Sequence, residues 1–349
     1  MADRIGRKKV SLMGAIARIG TSAIYLFAGD YQLLLIGTTI SALQSISNSA
    51  FSAMVAESLP RDQMGTGYGV FEMMRRVPLV FTGITGGFLI DYLGLTYAMH
   101  IFFLSGLIGG IVMFFSRFFF LTETLRRTKA ERRSLRDDLK EVIPMFQGSL
   151  KYMQVTSAIY QFAAGLTSEL LIIYVIDYIG LTSTEWGLIL TTMSTVSLIT
   201  SLPGGMMADK YDRVKLNVVA RSIYPLTTLG YMTWRSFWLV LGTRMIAGIG
   251  MGLSGAAEQG IIGGSSWNSL MADLVPSEKR GRFSGLMSTF NGIVAFPAPF
   301  IGANMWEIPS IGPEKTFWTQ IILGLVSTLV FGKFVKDPRY MKKQEKEAL

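Results

Sequence analysis

Apolar runs of about 20 residues, the length a helix needs to cross a bilayer, follow one another from Val10 almost to the end of the chain. They fall near 10–28, 32–56, 66–90, 96–120, 152–176, 186–207, 216–234, 237–258, 282–305 and 315–335. Gly29-Asp30, the Asp91–Gly94 stretch and the Gly180–Ser183 stretch punctuate them as short polar links. Charged residues make up 16% of the 349, whereas a soluble domain carries roughly 25%. Mean hydropathy is +0.40. A charge at mid-bilayer costs about 2.5–3.5 kcal/mol on insertion scales, so a chain that lives in lipid sheds charge. The pattern predicts an all-α polytopic membrane protein with about ten transmembrane helices.

The cations set the expected orientation. One alternate set of loops holds Arg4, Arg7, Lys8 and Lys9, then Arg61, a cluster in 122–151, the 210–215 group, the 279–282 group and the tail from Lys333. The other set holds only Arg235 and Lys315. This asymmetry places the cation-rich loops and the C-terminus in the cytoplasm, in a multi-pass protein of the cell membrane. It also explains the net charge of +9 without a nucleic-acid partner, because the charge is dispersed among loops rather than gathered in one patch. With no cysteine and one histidine, His100, disulfides, iron–sulfur clusters and a histidine zinc site are not expected. His100 reads as an interfacial anchor.

The chain repeats itself. The opening MADRIGRKK has a cousin in MADKYDRVK, Met207–Lys215. Ala56-Glu57-Ser58-Leu59-Pro60 with Gly65 and Gly69 matches Ala272-Asp273-Leu274-Val275-Pro276 with Gly281 and Gly285 at a constant offset. Parallel repeats of helical units are how one large class of transporter builds two bundles around a central site. The division expected is a first bundle over 1–121, a linker over 122–151 that forms a cytoplasmic helix, and a second bundle over 152–349. The stretch from Phe237 to Val275 is too long for one straight span, so a break is expected within it.

These motifs resemble those of the major facilitator superfamily. Asp3-Arg4-Ile5-Gly6-Arg7-Lys8 is similar to its loop signature between the second and third helices, with a weaker copy from Asp209 to Lys215. Leu121-Thr122-Glu123-Thr124 and Pro276 with Arg280, Gly281 and Gly285 are further family-like features. The resemblance implies a two-bundle fold of twelve helices, of which this chain supplies the third to the twelfth. The first two are expected to lie upstream of Met1. It further implies a cytoplasmic gate formed by Asp3, Arg4, Gly6, Arg7, Lys8, Asp209 and Arg213, in which Asp3 docks against a helix start near Gly281. The plainer alternative is that these cations only fix topology.

Ionisable residues inside the apolar runs are the functional candidates, since lipid exposure is costly. They are Arg18, Glu72, Arg75, Arg76, Glu169, Arg221, Arg244 and Glu258. Glu72 with Arg75 and Arg76 forms one face of a helix and serves either as a structural ion network or as a proton-responsive one. Glu169 has no cation within four residues in sequence. A buried, unpaired carboxylate can carry a proton, so Glu169 is the proton-coupling candidate, against a hydrogen-bonded structural acid. Gln44, Asn48, Tyr160, Gln161, Arg244 and Glu258 are the expected cavity residues. Gln44 and Asn48, four apart, share a face, with interhelical hydrogen bonding the alternative.

Gly248-Ile249-Gly250-Met251-Gly252 resembles a nucleotide loop, but it lies in an apolar span with no preceding strand and reads as close helix packing. No G-x-x-x-x-G-K-[ST] is present, which disfavours a primary pump. The sequence therefore predicts a secondary carrier rather than an enzyme. It acts without a cofactor, as a monomer, and moves a small-molecule substrate by alternating access with protons as the coupling ion and export the favoured direction. Uncoupled or symport uptake is the alternative within transport, and a non-transporting receptor or inactive fragment the alternative outside it.

Overall fold

The structure, a computed structural model, describes residues 6–58, 64–123, 140–233, 235–254, 265–276 and 279–339. Regular structure among the described residues is entirely helical, as the apolar runs predict. Contacts divide the chain into two compact units, Met1–Pro78 with Phe88–Glu131 and Leu79–Gly87 with Arg132–Leu349.

The first unit is built from α1 (Arg7–Leu26), α2 (Tyr31–Ser58), α3 (Met64–Leu93) and α4 (Leu95–Phe120). Helix α1 packs against both α2 and α4. The Arg117 guanidinium of α4 donates to the Ser11 carbonyl at 3.0 Å, holding the two helices in register. The start of α1 is tied to the segment that leaves α4. The Lys8 N–H donates to Glu123 Oε2 at 3.2 Å, and an acid there meets the positive end of the helix dipole. Gly6, just before α1, has φ 107°, and a Cβ placed on it would lie 2.8 Å from the same carboxylate oxygen. The backbone angle requires glycine, whereas the Glu123 carboxylate, at the tip of a flexible side chain, could shift aside. Gly6→Ala is expected to destabilise the first unit by about 1–3 kcal/mol, read as a lowered melting temperature of the full chain in detergent.

The second unit contains α5 (Gly148–Gly165), α6 (Leu170–Ile173), a π-helical turn over Tyr174–Ile179, α7 (Ser183–Lys210), α8 (Arg213–Thr233), α9 (Phe237–Ser254), α10 (Ser265–Leu274), α11 (Arg280–Ala295), α12 (Ala298–Glu307) and α13 (Gly312–Phe334). Sequence sets the helix starts. Thr182 Oγ1 accepts from the Glu185 N–H at 3.1 Å while the Glu185 carboxylate accepts from the Thr182 N–H at 2.8 Å, a reciprocal cap for α7. Asp212 accepts from the Val214 N–H at 2.8 Å and so caps α8. Sequence also sets a break. The run expected as one span over 282–305 is one span, Phe283–Glu307, interrupted at Pro297, which lacks an N–H and whose ring clashes with the preceding turn. The run expected over 152–176 likewise lies in one span, Gly148–Ile179, with a turn at 166–169.

Along α5, α6 and α8 the core comes in layers. Leu150, Met153, Val214, Phe283 and Phe331 belong to one apolar cluster, Tyr160, Ala164 and Tyr224 to a small middle one, and Leu171, Val175, Tyr231 and Phe317 to the third. Segment 79–87 of α3 lies on α7. Gly83 faces Gly187 and Gly87 faces Ser183 with backbone against backbone, so this segment, which belongs to the second unit, runs antiparallel to α7, and the Ile84 N–H donates to Thr191 Oγ1 at 3.1 Å.

Among the described residues, Leu95–Phe120, Gly148–Ile179, Phe283–Glu307 and Gly312–Phe334 are long and apolar enough to cross a membrane by length and composition. Helices α1, α2, α3, α7, α8 and α9 coincide with the remaining apolar runs, whereas α10 (Ser265–Leu274) falls between two of them. Most of the expected linker helix, residues 124–139, lies outside the described residues, as does 255–264, where the break after α9 is expected.

Candidate functional site

A cavity of about 200 Å³, open on the side of Ser284 and Ser288, lies in the second unit between α5, α10 and α11. Helix α5 gives it Ser157 and Gln161, α10 gives Trp267 and Met271, and α11 gives Ser284, Met287, Ser288 and Asn291. The spacing explains the grouping. Ser157 and Gln161 are four apart, and Ser284, Ser288 and Asn291 are separated by four and three, so each set shares one helix face.

The cavity wall is set by a directed hydrogen-bond chain. Gln154 Nε2 donates to Asn291 Oδ1 at 2.7 Å, and Asn291 Nδ2 donates to Ser157 Oγ at 2.9 Å. All three side chains are buried. Ser157 therefore receives a bond and still has a hydroxyl proton to give. Gln154 Oε1, behind it, has no partner among the described residues. Among the described residues none of the lining side chains is ionisable, so the described wall is polar and uncharged.

Two arginines of the second unit are buried in aromatic sandwiches. The Arg221 guanidinium lies 4.8 Å from the Tyr160 ring and 4.7 Å from the Phe331 ring, and donates to the Thr156 carbonyl at 2.9 Å and Ser327 Oγ at 3.2 Å. It thus joins α8 to α5 and α13. Arg244 lies 4.8 Å from the Trp186 ring and 4.9 Å from the Tyr231 ring. Desolvated cation–π contacts of this kind contribute about 2 kcal/mol or more, and the flat guanidinium suits them.

At one end of the unit sits a charged latch. Arg213 is buried at the first position of α8, with its Nε donating to Asp337 Oδ2 at 3.2 Å, and its backbone N–H to the same oxygen at 3.2 Å. It also pairs with Asp273 at the end of α10, which Arg339 approaches to 3.6 Å. Val335 is buried in the apolar cluster, and the Lys336 N–H donates to Ser149 Oγ at 3.1 Å. The segment after α13 is therefore held onto the starts of α5 and α8.

The expected site residues are scattered. Of the expected cavity residues, Gln161 lines the cavity. Tyr160 is buried under Arg221 with its hydroxyl donating to the Arg221 carbonyl at 3.4 Å, and Arg244 is enclosed by its rings. Gln44 is half-buried on α2. Glu169, expected as a buried acid, is instead exposed, at the end of the turn 166–169. Of the gate residues, Gly6 and Lys8 meet Glu123, and Arg213 meets Asp337 and Asp273. Asp3, Arg4 and Glu258 lie outside the described residues. Arg7, Asn48, Glu72, Arg75 and Asp209 lie on helices whose side chains at those positions are outside the description.

Sequence reasoning missed Ser157, Trp267, Ser284, Ser288 and Asn291. A signal was present: a polar stripe at spacings of four and three on α11, facing a Ser–Gln pair four apart on α5.

Membrane-crossing helices around a small uncharged cavity define a multi-pass membrane transporter. A profile of the Major Facilitator Superfamily matches residues 1–168 and 153–349, and the chain belongs to that superfamily. It is 26% identical over 314 residues to multidrug resistance protein MdtG of Klebsiella pneumoniae (strain 342), a match that covers 87% of this chain and 71% of that protein. It is 25% identical over 175 residues to quinolone resistance protein NorA of Staphylococcus aureus, covering 50% of this chain and 42% of NorA. Its fold is similar to that of the D-xylose-proton symporter, with a TM-score of 0.69 at 12% identity over 96% of this chain and 82% of that one. The human organic anion transporter MFSD10 (TETRAN) is similar at a TM-score of 0.59 and 16% identity, over 95% and 78%.

Proposed function

We infer that this protein is a proton-coupled exporter of small molecules in the cell membrane, working by alternating access between an N-terminal and a C-terminal bundle. The observation that carries the reading is the open, polar cavity between apolar helices of a superfamily transporter, whose described lining is uncharged. The names of MdtG and NorA, both resistance proteins, support export. The cation-rich loops support a cytoplasmic face for the ends that carry Lys8 and Arg213, where Asp3 and Asp209 act as gate partners.

Coupling is assigned to Glu169, with the Glu72, Arg75 and Arg76 group as a second proton-responsive element. An exposed acid on the apolar Gly148–Ile179 rod costs about 2.5–3.5 kcal/mol against lipid, which favours a water-filled path beside it. Gln44, Asn48 and Glu258 extend the substrate path, and the protein acts as a monomer.

Flux into and out of proteoliposomes, with and without an imposed pH gradient, tests this. Glu169→Gln is expected to abolish the acceleration by the gradient while leaving substrate binding within about threefold, since the amide keeps size and hydrogen bonding but cannot carry the proton. An unchanged pH response in that variant would sink the coupling assignment.

A further inference from the structure

The cavity of the second unit carries a more specific statement about what it takes. Its polar groups are hydroxyls and amides, and among the described residues no carboxylate or cation lines it. A charged ligand entering there would lose hydration without gaining a counter-charge. A neutral one with hydrogen-bond acceptors would find the unused Ser157 proton, the half-buried Gln161 amide, and the serines of α11. Trp267, buried and stacked 6.0 Å from Phe331, offers an apolar wall to one side of a ring, with Met287 beside it.

The chain Gln154–Asn291–Ser157 makes this a built site rather than a gap. It runs from α5 to α11 and back, so it fixes the distance between the two helices that face across the cavity. Its donor end is Ser157, on the lining. An accepting ligand there would extend the chain by one bond and polarise it toward the unpartnered Gln154 oxygen.

We propose that this pocket is a binding site for an uncharged, hydroxyl- or amide-bearing ring compound, held by Ser157, Gln161 and Asn291 against Trp267. Calling that compound a substrate rests on the transport reading above; the site itself does not.

The absence of cysteine from the sequence makes the test direct. Ser288→Cys places a single thiol at an exposed point of the lining, and Ser310→Cys places one in an exposed loop remote from it. Labelling of each by N-ethylmaleimide is followed in membranes with D-ribose, nicotinamide or choline present. Ribose or nicotinamide is expected to slow labelling of Ser288→Cys about threefold at a concentration twice its Kd. Ser310→Cys should be unaffected, and choline should give no protection. Adding Ser157→Ala or, as an independent variant at the cavity edge, Gln161→Leu should remove the protection while the melting temperature stays within a few degrees. Protection by choline equal to that by the neutral probes, or none by either neutral probe, overturns the proposal. Counterflow of the protecting probe in proteoliposomes then reads the transport function separately: protection without flux keeps the site and removes transport.

Discussion

Arg213→Ala is expected to lower the stability of the second unit by about 3–5 kcal/mol, the cost of leaving a buried carboxylate without its cation. Asp337 is the group left behind. It is 5% exposed, and its Oδ2 takes both the Arg213 Nε and the backbone N–H at 3.2 Å. Asp273 is more than a third exposed, so water compensates it and its own removal should cost about 1 kcal/mol or less. The discriminating variant is the double Arg213→Met, Asp337→Leu. An apolar pair of similar volume removes both desolvation penalties, and such replacements are often neutral or better. The double variant should melt well above either single. Melting curves of the four proteins, in one detergent, complete the cycle. A double variant no more stable than Arg213→Ala would mean that the pair holds the tail by geometry rather than by charge compensation.

The second large effect is steric. Gly187→Val is expected to abolish folding or reduce the yield of membrane-inserted protein severely, and Gly83→Val to do the same. At this crossing the backbone of one helix occupies the space where the other's Cβ would go. Overpacking a formed contact costs about 1–3 kcal/mol when neighbours can give way, but a carbonyl in a helix cannot. The paired spacing of four, Gly83 with Gly87 and Ser183 with Gly187, is the small-residue pattern that lets membrane helices approach closely. Ser183→Ala, which adds no volume, should be tolerated and serves as the control. Survival of Gly187→Val at wild-type yield, with the Ile84 N–H still protected from exchange, would show that the crossing is looser than it is described here.

What the sequence revealed depended on the range over which each feature acts. Apolar runs report a local requirement, and the helices fall on them within a few residues. Pro297, Thr182 and Asp212 act on their own turns, and a reader could place a break and two starts from them. The family features were also legible, because DRIGRK is contiguous. The cavity was not, because Ser157 and Asn291 meet only after α5 and α11 pack, and either alone is an ordinary polar residue in an apolar helix. The reading of Glu169 failed on burial for a related reason: the absence of a nearby cation in sequence says nothing about which way an interrupted helix turns the side chain. Arg213 was singled out as a gate residue, yet nothing local points to Asp337, which comes from the far end of the chain.

The two acids that close on helix starts, Glu123 on α1 and Asp337 on α8, have a consequence for how the polypeptide can be divided. Each follows the last helix of its own unit and returns to an earlier one, so each unit carries its own clasp. Each clasp lies only a few residues beyond the last helix of its unit, so a fragment trimmed to its helices would lose it. A polypeptide ended at Phe120 would leave the Lys8 N–H without Glu123, and one ended at Phe334 would leave Arg213 without Asp337. The residues just past the last helix are therefore where a tag or a truncation would do most harm to what holds each unit shut.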